Sequence, residues 1–310
     1  MRLRTNTYVK VALILLLCLL VCSFFGGCMR TSLPFNSPLF MPGGVVSCMG
    51  QQALEDVADG MRSGSYETTT EGSHFEVDAD EVSSIELNWL AGEVSVNVVP
   101  DGDTGGKILV DEVVEGGSAP VMVCGTGGGV LAIDYMEGRQ GLAGCSANHF
   151  GHKNLTVQLP ASLADHLGVF ELEAASGRYD LTGLACETLE LGVASGEVNV
   201  AGLTAEHADL SVASGRVHVQ GAIAEKIGLD QASGDVSFSL PDTAPAEVMG
   251  SMASGSLVLE LPADTRLSVD MDKTSGSFNN ELASPVTGEG QPCDLSFDMI
   301  SGNFTARPAA

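Results

Sequence analysis

Aromatic and basic residues are both scarce in this chain of 310 residues. Only 5% of the residues are aromatic, one of them Trp, and 14 Lys and Arg stand against 40 Asp and Glu, for a net charge of −26. Binding a nucleic acid requires basic surface to neutralise phosphates, so the composition argues against that role. Few aromatic side chains also disfavour an enzyme with a deep aromatic pocket. The 38 glycines, with many Val, Leu and Ser, instead favour a repetitive β-protein.

The cysteine content does not support a disulfide-rich fold. Five cysteines follow Cys28, and their odd number argues against a complete disulfide framework. Cys124 and Cys145 flank one Gly-rich segment, so they are the best candidates for a single disulfide.

The first residues have the pattern of a signal peptide. Arg2, Arg4 and Lys10 precede an uncharged apolar run from Val11 to Phe25. The next residues, Phe25-Gly26-Gly27-Cys28, resemble the bacterial lipobox, in which the Cys is lipidated and becomes the new N-terminus. We therefore assign residues 1–27 to a signal peptide and Cys28 to lipidation. The alternative is an uncleaved transmembrane anchor, although the run is short against the ~20 residues that a span needs.

In either case the rest of the chain is expected on the extracytoplasmic face of the membrane, because the basic flank stays in the cytoplasm. Removing residues 1–27 removes three basic residues and no acid, so the net charge falls from −26 to −29. An anionic membrane surface would repel such a domain, and the lipid would hold it there alone. Cations, cationic peptides or basic wall components would be attracted.

The remaining chain divides into a tether and one folded domain. Residues 28–76 mix Pro, Gly, Ser and Met, with one short helix candidate at Gln51 to Met61. From Phe75 onward, apolar and polar residues alternate, as in β-strands. Residues 77–310 are therefore assigned to the folded domain.

A repeat built on Ser-Gly decides the predicted fold. Its serines are separated by 19, 19, 19, 21, 21 and 26 residues. Apolar residues recur four positions before and three after each Ser, as Leu191 and Val198 do around Ser195. The pairs are Ser176-Gly177, Ser195-Gly196, Ser214-Gly215, Ser233-Gly234, Ser254-Gly255, Ser275-Gly276 and Ser301-Gly302.

One such repeat, which we call a rung, cannot bury its apolar side alone, whereas rungs stacked at ~4.8 Å share a continuous core. The sequence therefore predicts an all-β parallel β-solenoid of about seven rungs, with two to three strands per turn. Ile85 to Val96 has the same outline and is expected to be a degenerate first rung. Further strands up to Leu159 are expected to form an irregular N-terminal β cap, because open solenoid ends expose unpaired backbone.

Charged residues support one register for this stack. Arg178, Glu197, Arg216 and Asp235 each lie two residues after a repeat Ser and alternate in sign. In a parallel in-register stack they would be direct neighbours, so alternation avoids like-charge repulsion.

The Ser-Gly pairs are interpreted as structural turns. Gly accepts the positive φ of a sharp corner, and a Ser hydroxyl can bond nearby backbone. A nucleophile needs an aligned base and an orienting group, and the sequence has no G-x-S-x-G elbow. We expect no catalytic, cofactor-binding or metal-binding residues, and no cofactor.

Three weaker patterns receive structural interpretations. The spacing from Asp101 to Glu112 resembles a calcium loop, but its flanks are strand-like, so we expect a hairpin turn. Cys145, His149 and His152 match no zinc spacing and are expected in a Gly-rich loop. A third set of residues, each eleven positions after a repeat Ser, consists of Glu187, Glu206 and Glu225. A cation could bridge these carboxylates, but separate solvation of each is favoured.

The repeated Leu-x-x-Ala-Ser-Gly-(Asp/Glu/Arg)-Val-x-Val, preceded by Leu155-Thr-Val-Gln-Leu-Pro160, resembles the bacterial β-strand-repeat family of unknown function labelled "putative adhesin". The resemblance runs from about Ser84 to Thr305. It implies a surface-exposed solenoid and brings no catalytic residues.

We therefore expect a lipid-anchored, non-enzymatic module of the bacterial cell envelope, adhesin-like or a scaffold. Its ligand would be an unidentified protein, peptide or glycan. One alternative is envelope-stress sensing through cationic peptides. Another is a polysaccharide-acting β-helix enzyme, which would need clustered carboxylates and aromatic sugar platforms, whereas Trp89 is the only Trp.

Replacing Cys28 by Ala should move the protein from the membrane fraction to the soluble fraction, because the sulfur that carries the lipid is gone. Fractionation of cells followed by immunoblotting measures this. Cys48→Ala is the control and should leave the protein in the membrane fraction. Retention of the Cys28→Ala protein in membranes would support the uncleaved anchor instead.

Overall fold

The fold is built almost entirely of β-strands. The structure is a computed structural model that describes residues 68–115, 122–135, 152–282 and 290–309. This confirms the all-β prediction. The strands are β1 (Thr68–Glu71), β2 (His74–Asp78), β3 (Ser84–Trp89), β4 (Glu93–Val99), β5 (Lys107–Glu115), β6 (Val123–Gly127), β7 (Val130–Asp134), β8 (His152–Pro160), β9 (Val169–Ala174), β10 (Arg178–Thr182), β11 (Ala185–Val193), β12 (Glu197–Val212), β13 (Arg216–Gln231), β14 (Asp235–Ser239), β15 (Glu247–Met252), β16 (Ser256–Leu261), β17 (Arg266–Lys273), β18 (Ser277–Asn280), β19 (Pro292–Met299) and β20 (Asn303–Pro308).

The strands form two columns that are joined at the Ser-Gly turns. The first column holds the strands that precede the turns, in the spatial order β7-β3-β9-β11-β12-β13-β15-β19-β17. The second holds those that follow, in the order β8-β4-β10-β12-β13-β14-β16-β20-β18. All of these pairings are parallel. Long strands β12 and β13 serve both columns, and the arrangement is that of a β-solenoid.

At both ends the spatial order departs from the chain order. The strands β19 and β20 lie between the rung of β15 and β16 and that of β17 and β18, so the rung of Ser275 is outermost. At the other end β7 and β8 lie outside β3 and β4. The repeats therefore do not stack simply in sequence order. The long step of 26 residues between Ser275 and Ser301 supplies the chain that this return requires.

Four antiparallel pairings extend the columns at the N-terminal end. In the first column β6 pairs with β7 and β1 with β6, and in the second β5 pairs with β8 and β2 with β5. Strand pairing thus starts at Thr68, inside the stretch that the sequence assigned to the tether.

The segment after β4 is not the hairpin turn that was expected. Asp101–Thr104 forms a single helical turn, closed by Gly105 at a φ of 66°. Strand β8 then lies between β4 and β5, parallel to one and antiparallel to the other. The hairpin prediction is wrong because the local sequence does not show that a distant strand separates the two.

Stacked glycines shape the turns between the columns. Gly196 has a φ of 106°, which L side chains rarely adopt. A Cβ at this position would also lie 2.5 Å from the carbonyl oxygen of Gly177 in the neighbouring turn. That oxygen accepts a hydrogen bond from the amide of Glu197 at 2.9 Å. The same relation repeats from Gly92 along the whole row of turns.

The apolar columns seen in the sequence form the core. Inward side chains of both strand columns are almost fully buried and pack into one cluster with Trp89 and Tyr135. They include Leu172, Leu191, Leu210, Leu229, Tyr179, Val198, Val217 and Val236.

Gly196→Val should destabilise the protein by about 2–5 kcal/mol, because the side chain adds backbone strain and a clash with Gly177. Ser195→Ala removes only a hydroxyl bond and should cost about 0.5–1.5 kcal/mol. Denaturant unfolding measures both. Equal unfolding midpoints for Gly196→Val and the wild type would contradict the stacked-turn geometry.

Candidate functional site

The outward surface of the second column is a row of alternating charges. Glu93, Arg178, Glu197, Arg216 and Asp235 are direct neighbours on successive strands, which confirms the register expected from the sequence. The Arg178 guanidinium lies 3.5 Å from the Glu197 carboxylate. Attraction therefore replaces repulsion along this surface, although exposed pairs of this kind contribute only about 0.2–1 kcal/mol each.

The outward surface of the first column has like charges in the equivalent places. Among the described residues, the members of the row Glu86, Glu171, Glu190 and Asp209 pair directly with one another on adjacent strands. Neighbouring strands are about 4.8 Å apart, so these carboxylates repel one another. We call this surface the acidic face and define it by six residues: Glu86, Glu171, Glu173, Glu190, Asp209 and Asp230.

Within the acidic face, two glycines leave space for carboxylates to pack against the backbone of the neighbouring strand. The Glu173 carboxylate occupies the space where a Cβ on Gly192 would be, and the Asp209 carboxylate does the same above Gly228. Burial and the nearby Glu190 both raise the pKa of Glu173. Negative charge is thus packed against the backbone as well as projecting into solvent.

One group of side chains beside the acidic face has metal-binding chemistry. Ligand atoms of Glu206, His207 and Glu225 lie within 4.8 Å of one another. Glu206 and Glu225 belong to the aligned set of three glutamates, next to an irregularity in strand pairing. Lys226 pairs in register with His207 and adds positive charge there. We therefore assign no metal to this group.

Five of the seven repeat serines direct their hydroxyl groups to backbone oxygens. Ser195 Oγ donates to the carbonyl of Ala175 at 3.3 Å, and Ser301 Oγ donates to that of Ala253 at 2.9 Å. Ser176, Ser254 and Ser275 make the equivalent bond. These hydroxyl protons are used within the turn rather than shared with a general base.

The geometry above agrees with a comparison to known families. Residues 143–291 match the model of the family described as Toastrack DUF4097. This part of the chain is similar to a Toastrack domain. The match confirms the resemblance to the β-strand-repeat family, over a shorter range than the repeats suggested. It takes in all members of the acidic face except Glu86.

Two solved structures are similar to this chain. One is a "putative adhesin" from Bacteroides fragilis, with a TM-score of 0.41 and 12% identity over 78% of this chain and 98% of the other. The second is a "putative cell adhesion protein" from Clostridium sporogenes, with a TM-score of 0.35 and 10% identity over 78% of this chain and 100% of the other. Likeness at this level carries nothing about function. Among curated proteins, none matches this chain.

Several residues singled out in the sequence lie outside the described residues, namely Cys28, Cys48, Cys145, His149 and the helix candidate from Gln51 to Met61. Within the described parts of the chain, no helix is long and apolar enough to cross a membrane.

The residues of the calcium-like spacing have separate roles and lie outside the matched residues 143–291. Asp101 Oδ1 accepts a hydrogen bond from the amide of Ser162 at 2.9 Å. Glu112 instead lies buried and forms an ion pair with Lys153. The first and last positions of the spacing therefore do not point to one ion.

No pattern in the sequence indicates this buried ion pair. Lys153 is fully buried, donates to the carbonyl of Tyr135 at 2.6 Å, and has its Nζ 4.2 Å from the centre of the Tyr135 ring. Burial lowers the pKa of Lys153, while Glu112 favours the charged form. The ion pair joins β5 to β8 inside the core. Separating the two strands would leave both buried charges unpaired, which is strongly unfavourable.

The described cysteines are buried, free thiols. Burial raises the pKa of Cys124, Cys186 and Cys293 to about 12, so the reactive thiolate is scarce. Cys186 pairs in register with Ala205, as the sequence alignment indicated. Cys124 is one of these free thiols, so the disulfide expected with Cys145 is not formed in this structure, and Cys145 itself lies outside the described residues.

Asp134 lies buried at the N-terminal end of the surface that carries the acidic face. Its Oδ1 accepts a hydrogen bond from Asn88 Nδ2 at 3.0 Å. Burial raises the pKa of Asp134 to about 7, with a smaller contribution from Glu86, while the bond from Asn88 opposes the rise. The folded protein therefore favours protonated Asp134. This stabilisation is complete below the unfolded pKa near 3.8 and is lost as the pH rises through about 7.

Asp134→Asn should remove this pH dependence, because an amide is neutral throughout. Relative to the wild type, the variant should gain on the order of 4 kcal/mol in free energy of unfolding between pH 4 and pH 8. Urea unfolding across this range measures the difference. Asp103→Asn, at an exposed position, is the control. An equal pH profile for Asp134→Asn and the wild type would contradict a raised pKa.

Proposed function

We propose that this protein is a non-enzymatic binding module whose acidic face holds cationic ligands at the outer surface of a bacterial cell membrane. The ligand class is a flexible polycation, such as a Lys-rich or Arg-rich peptide, that can lie along the stacked rungs. The sequence leaves the ligand open as a protein, peptide or glycan of the envelope, and this proposal narrows it to a cationic peptide.

The separation of charge between the two columns carries this proposal. Acids and bases alternate on the outward surface of the second column, so its charges compensate locally. On the acidic face the row from Glu86 to Asp209 is acidic throughout. A ligand with positive charges along an extended chain would relieve repulsion between these side chains, and that relief would add to its affinity.

The repeating geometry suits an extended ligand better than a compact one. Members of the row repeat at the strand spacing of about 4.8 Å, and the side chains of a peptide in extended conformation repeat at about 6.6–6.8 Å on one side. Flexible Lys and Arg side chains can accommodate this difference. Many weak contacts would then share the binding energy, so affinity should depend strongly on salt.

The serine geometry supports a non-enzymatic role. The hydroxyl bonds of Ser176, Ser195, Ser254, Ser275 and Ser301 all end on backbone oxygens. Catalysis by such a Ser would require a general base, rather than a backbone oxygen, to accept the hydroxyl proton. Trp89, the only Trp, is buried rather than offered to a sugar.

We further propose how the module is placed on the cell. Lipidated Cys28 would hold the chain in the membrane, and the following tether would carry a solenoid of about seven rungs with the N-terminal antiparallel strands as its cap. The net charge of −29 would keep the solenoid away from anionic lipid while it attracts polycations from the surroundings.

Binding of a decalysine peptide tests the function. A variant with Glu171→Gln, Glu190→Gln and Asp209→Asn should bind this peptide about tenfold more weakly in isothermal titration, because about 1.4 kcal/mol of charge attraction is lost. Its affinity should also fall less steeply with salt.

The matched control removes the same number of charges from the alternating row, through Glu93→Gln, Glu197→Gln and Asp235→Asn. This variant should bind decalysine within about threefold of the wild type, since that change is about 0.7 kcal/mol. An equal loss in both variants would mean that net charge, rather than the acidic face, attracts the peptide. No binding by the wild type at low salt would reject the function.

A further inference from the structure

The end of the solenoid formed by the Ser275 rung leaves a strand edge unpaired within the described parts of the chain. Strand β17 pairs with β19 on one side, and β18 pairs with β20 on one side. The main-chain hydrogen bonds of this rung run toward β19 and β20, for example from Thr274 N to Met299 O at 2.9 Å. The outer edge of β17 therefore offers a row of backbone donors and acceptors.

Apolar side chains of this rung are also incompletely covered. Val269 is 41% exposed, whereas Leu295, its neighbour one strand inward, is 1% exposed. Leu267, Met271 and Phe278 continue the apolar columns and are only partly buried. These four side chains lie where the interior of the next rung would be.

The opposite end of the solenoid is covered. There β6 and β1 continue the first column, and β5 and β2 continue the second, in antiparallel pairings. Ile108 and Val110 on β5 are fully buried. Exposed apolar residues on β5 are confined to Val113 and Val114 near its C-terminal end, whereas the inward row of β17 is incompletely covered from Leu267 to Met271.

We infer that β17 pairs with β17 of a second copy of this chain, in an antiparallel two-fold arrangement that joins two solenoids end to end. A two-fold axis normal to the sheet keeps inward side chains on the inward side of both copies. The two cores would then become continuous, and the exposed edges would satisfy one another by strand addition.

Side-chain complementarity selects one register for this pairing. With Val269 opposite its own copy, Leu267 lies opposite Met271 of the partner subunit, so apolar side chains meet on the inward side. On the outward side Arg266 lies opposite Asp272 of the partner subunit, and the two-fold axis makes this contact twice. The residues from Arg266 to Asp272 are thus paired within the two strands, and only Lys273 lies opposite a residue outside β17, Thr265 of the partner subunit.

The neighbouring registers of the same symmetry are worse. Moving the axis to Asp270 places two Asp270 carboxylates opposite each other and sets Leu267 against Lys273 of the partner subunit. Moving it to Ser268 sets Met271 against Thr265 of the partner subunit and Asp272 against Asp264 of the partner subunit. Like charges opposite one another destabilise strand pairs, so both alternatives are disfavoured.

The oligomeric state of the full-length protein in mild detergent tests this inference, by sedimentation velocity between about 1 and 100 µM, a span that brackets μM dimer affinities. The wild type should show a monomer–dimer equilibrium. Arg266→Asp should weaken dimerisation at least about tenfold, because both charge pairs become repulsive. The double variant Arg266→Asp with Asp272→Arg should restore it.

Arg266 also donates to the Gly290 carbonyl at 3.2 Å within its own chain, so Arg266→Asp could weaken dimerisation through a local change. Recovery of the dimer in the double variant would show that the charge pair between subunits is responsible. Folding of each variant is checked by its melting temperature. Val269→Cys provides a second readout, because only the proposed register brings two copies of residue 269 within disulfide reach on oxidation. Ser268→Cys should not cross-link.

A monomer at every concentration would overturn the inference and indicate that the chain covers its own β17 edge. The proposed register would be overturned if the wild type dimerises but the double variant does not. Failure of the Val269→Cys protein to cross-link would overturn it as well. Neither result bears on decalysine binding, because the acidic face and β17 lie on different rungs.

Discussion

The stacked glycine turns are the constraint on which the rest of this structure depends. Each turn glycine has a positive φ, and its carbonyl oxygen accepts the amide that follows the glycine of the neighbouring turn. Glu197 N to Gly177 O and Arg216 N to Gly196 O, at 2.9 and 2.8 Å, are two members of this series. A side chain on any of these glycines would meet the neighbouring carbonyl. The close approach fixes both the spacing and the register of the rungs.

Because the register is fixed, residues at the same distance from each repeat Ser lie side by side on neighbouring strands and share the same environment. The residue two positions after each Ser lies on one outward row, where Glu197 is placed between Arg178 and Arg216. The residue five positions before each Ser lies on another, where Glu171, Glu190 and Asp209 are adjacent. The same turn chemistry therefore compensates charge on one surface and concentrates it on the other. A polycation-binding surface needs only that concentration, without a pocket or a catalytic group.

The two ends of the solenoid solve the problem of unpaired backbone in different ways. At the N-terminal end, antiparallel strands continue both columns, and the buried pair of Lys153 and Glu112 ties β8 to β5. At the other end the chain returns to place β19 and β20 inside the rung of β17 and β18. The outermost rung therefore carries the least buried inward residues, Val269 among them. The repeat is thus least regular at its two ends.

The sequence by itself determined the repeating part of this protein. Ser-Gly spacing and period-two alternation predict which side chains face inward, so Leu191, Val198 and the alternating charges were all placed correctly. The same alignment of the repeats contains the acidic row from Glu171 to Asp209, five positions before each Ser, and the strand pairing shows that these residues are neighbours. Only the tertiary structure decided the order of the end rungs, the position of β8 between β4 and β5, and the burial of Lys153, Glu112 and Asp134. Periodicity reports the side of a strand on which a residue lies, whereas these features depend on pairings between distant segments that follow no repeat.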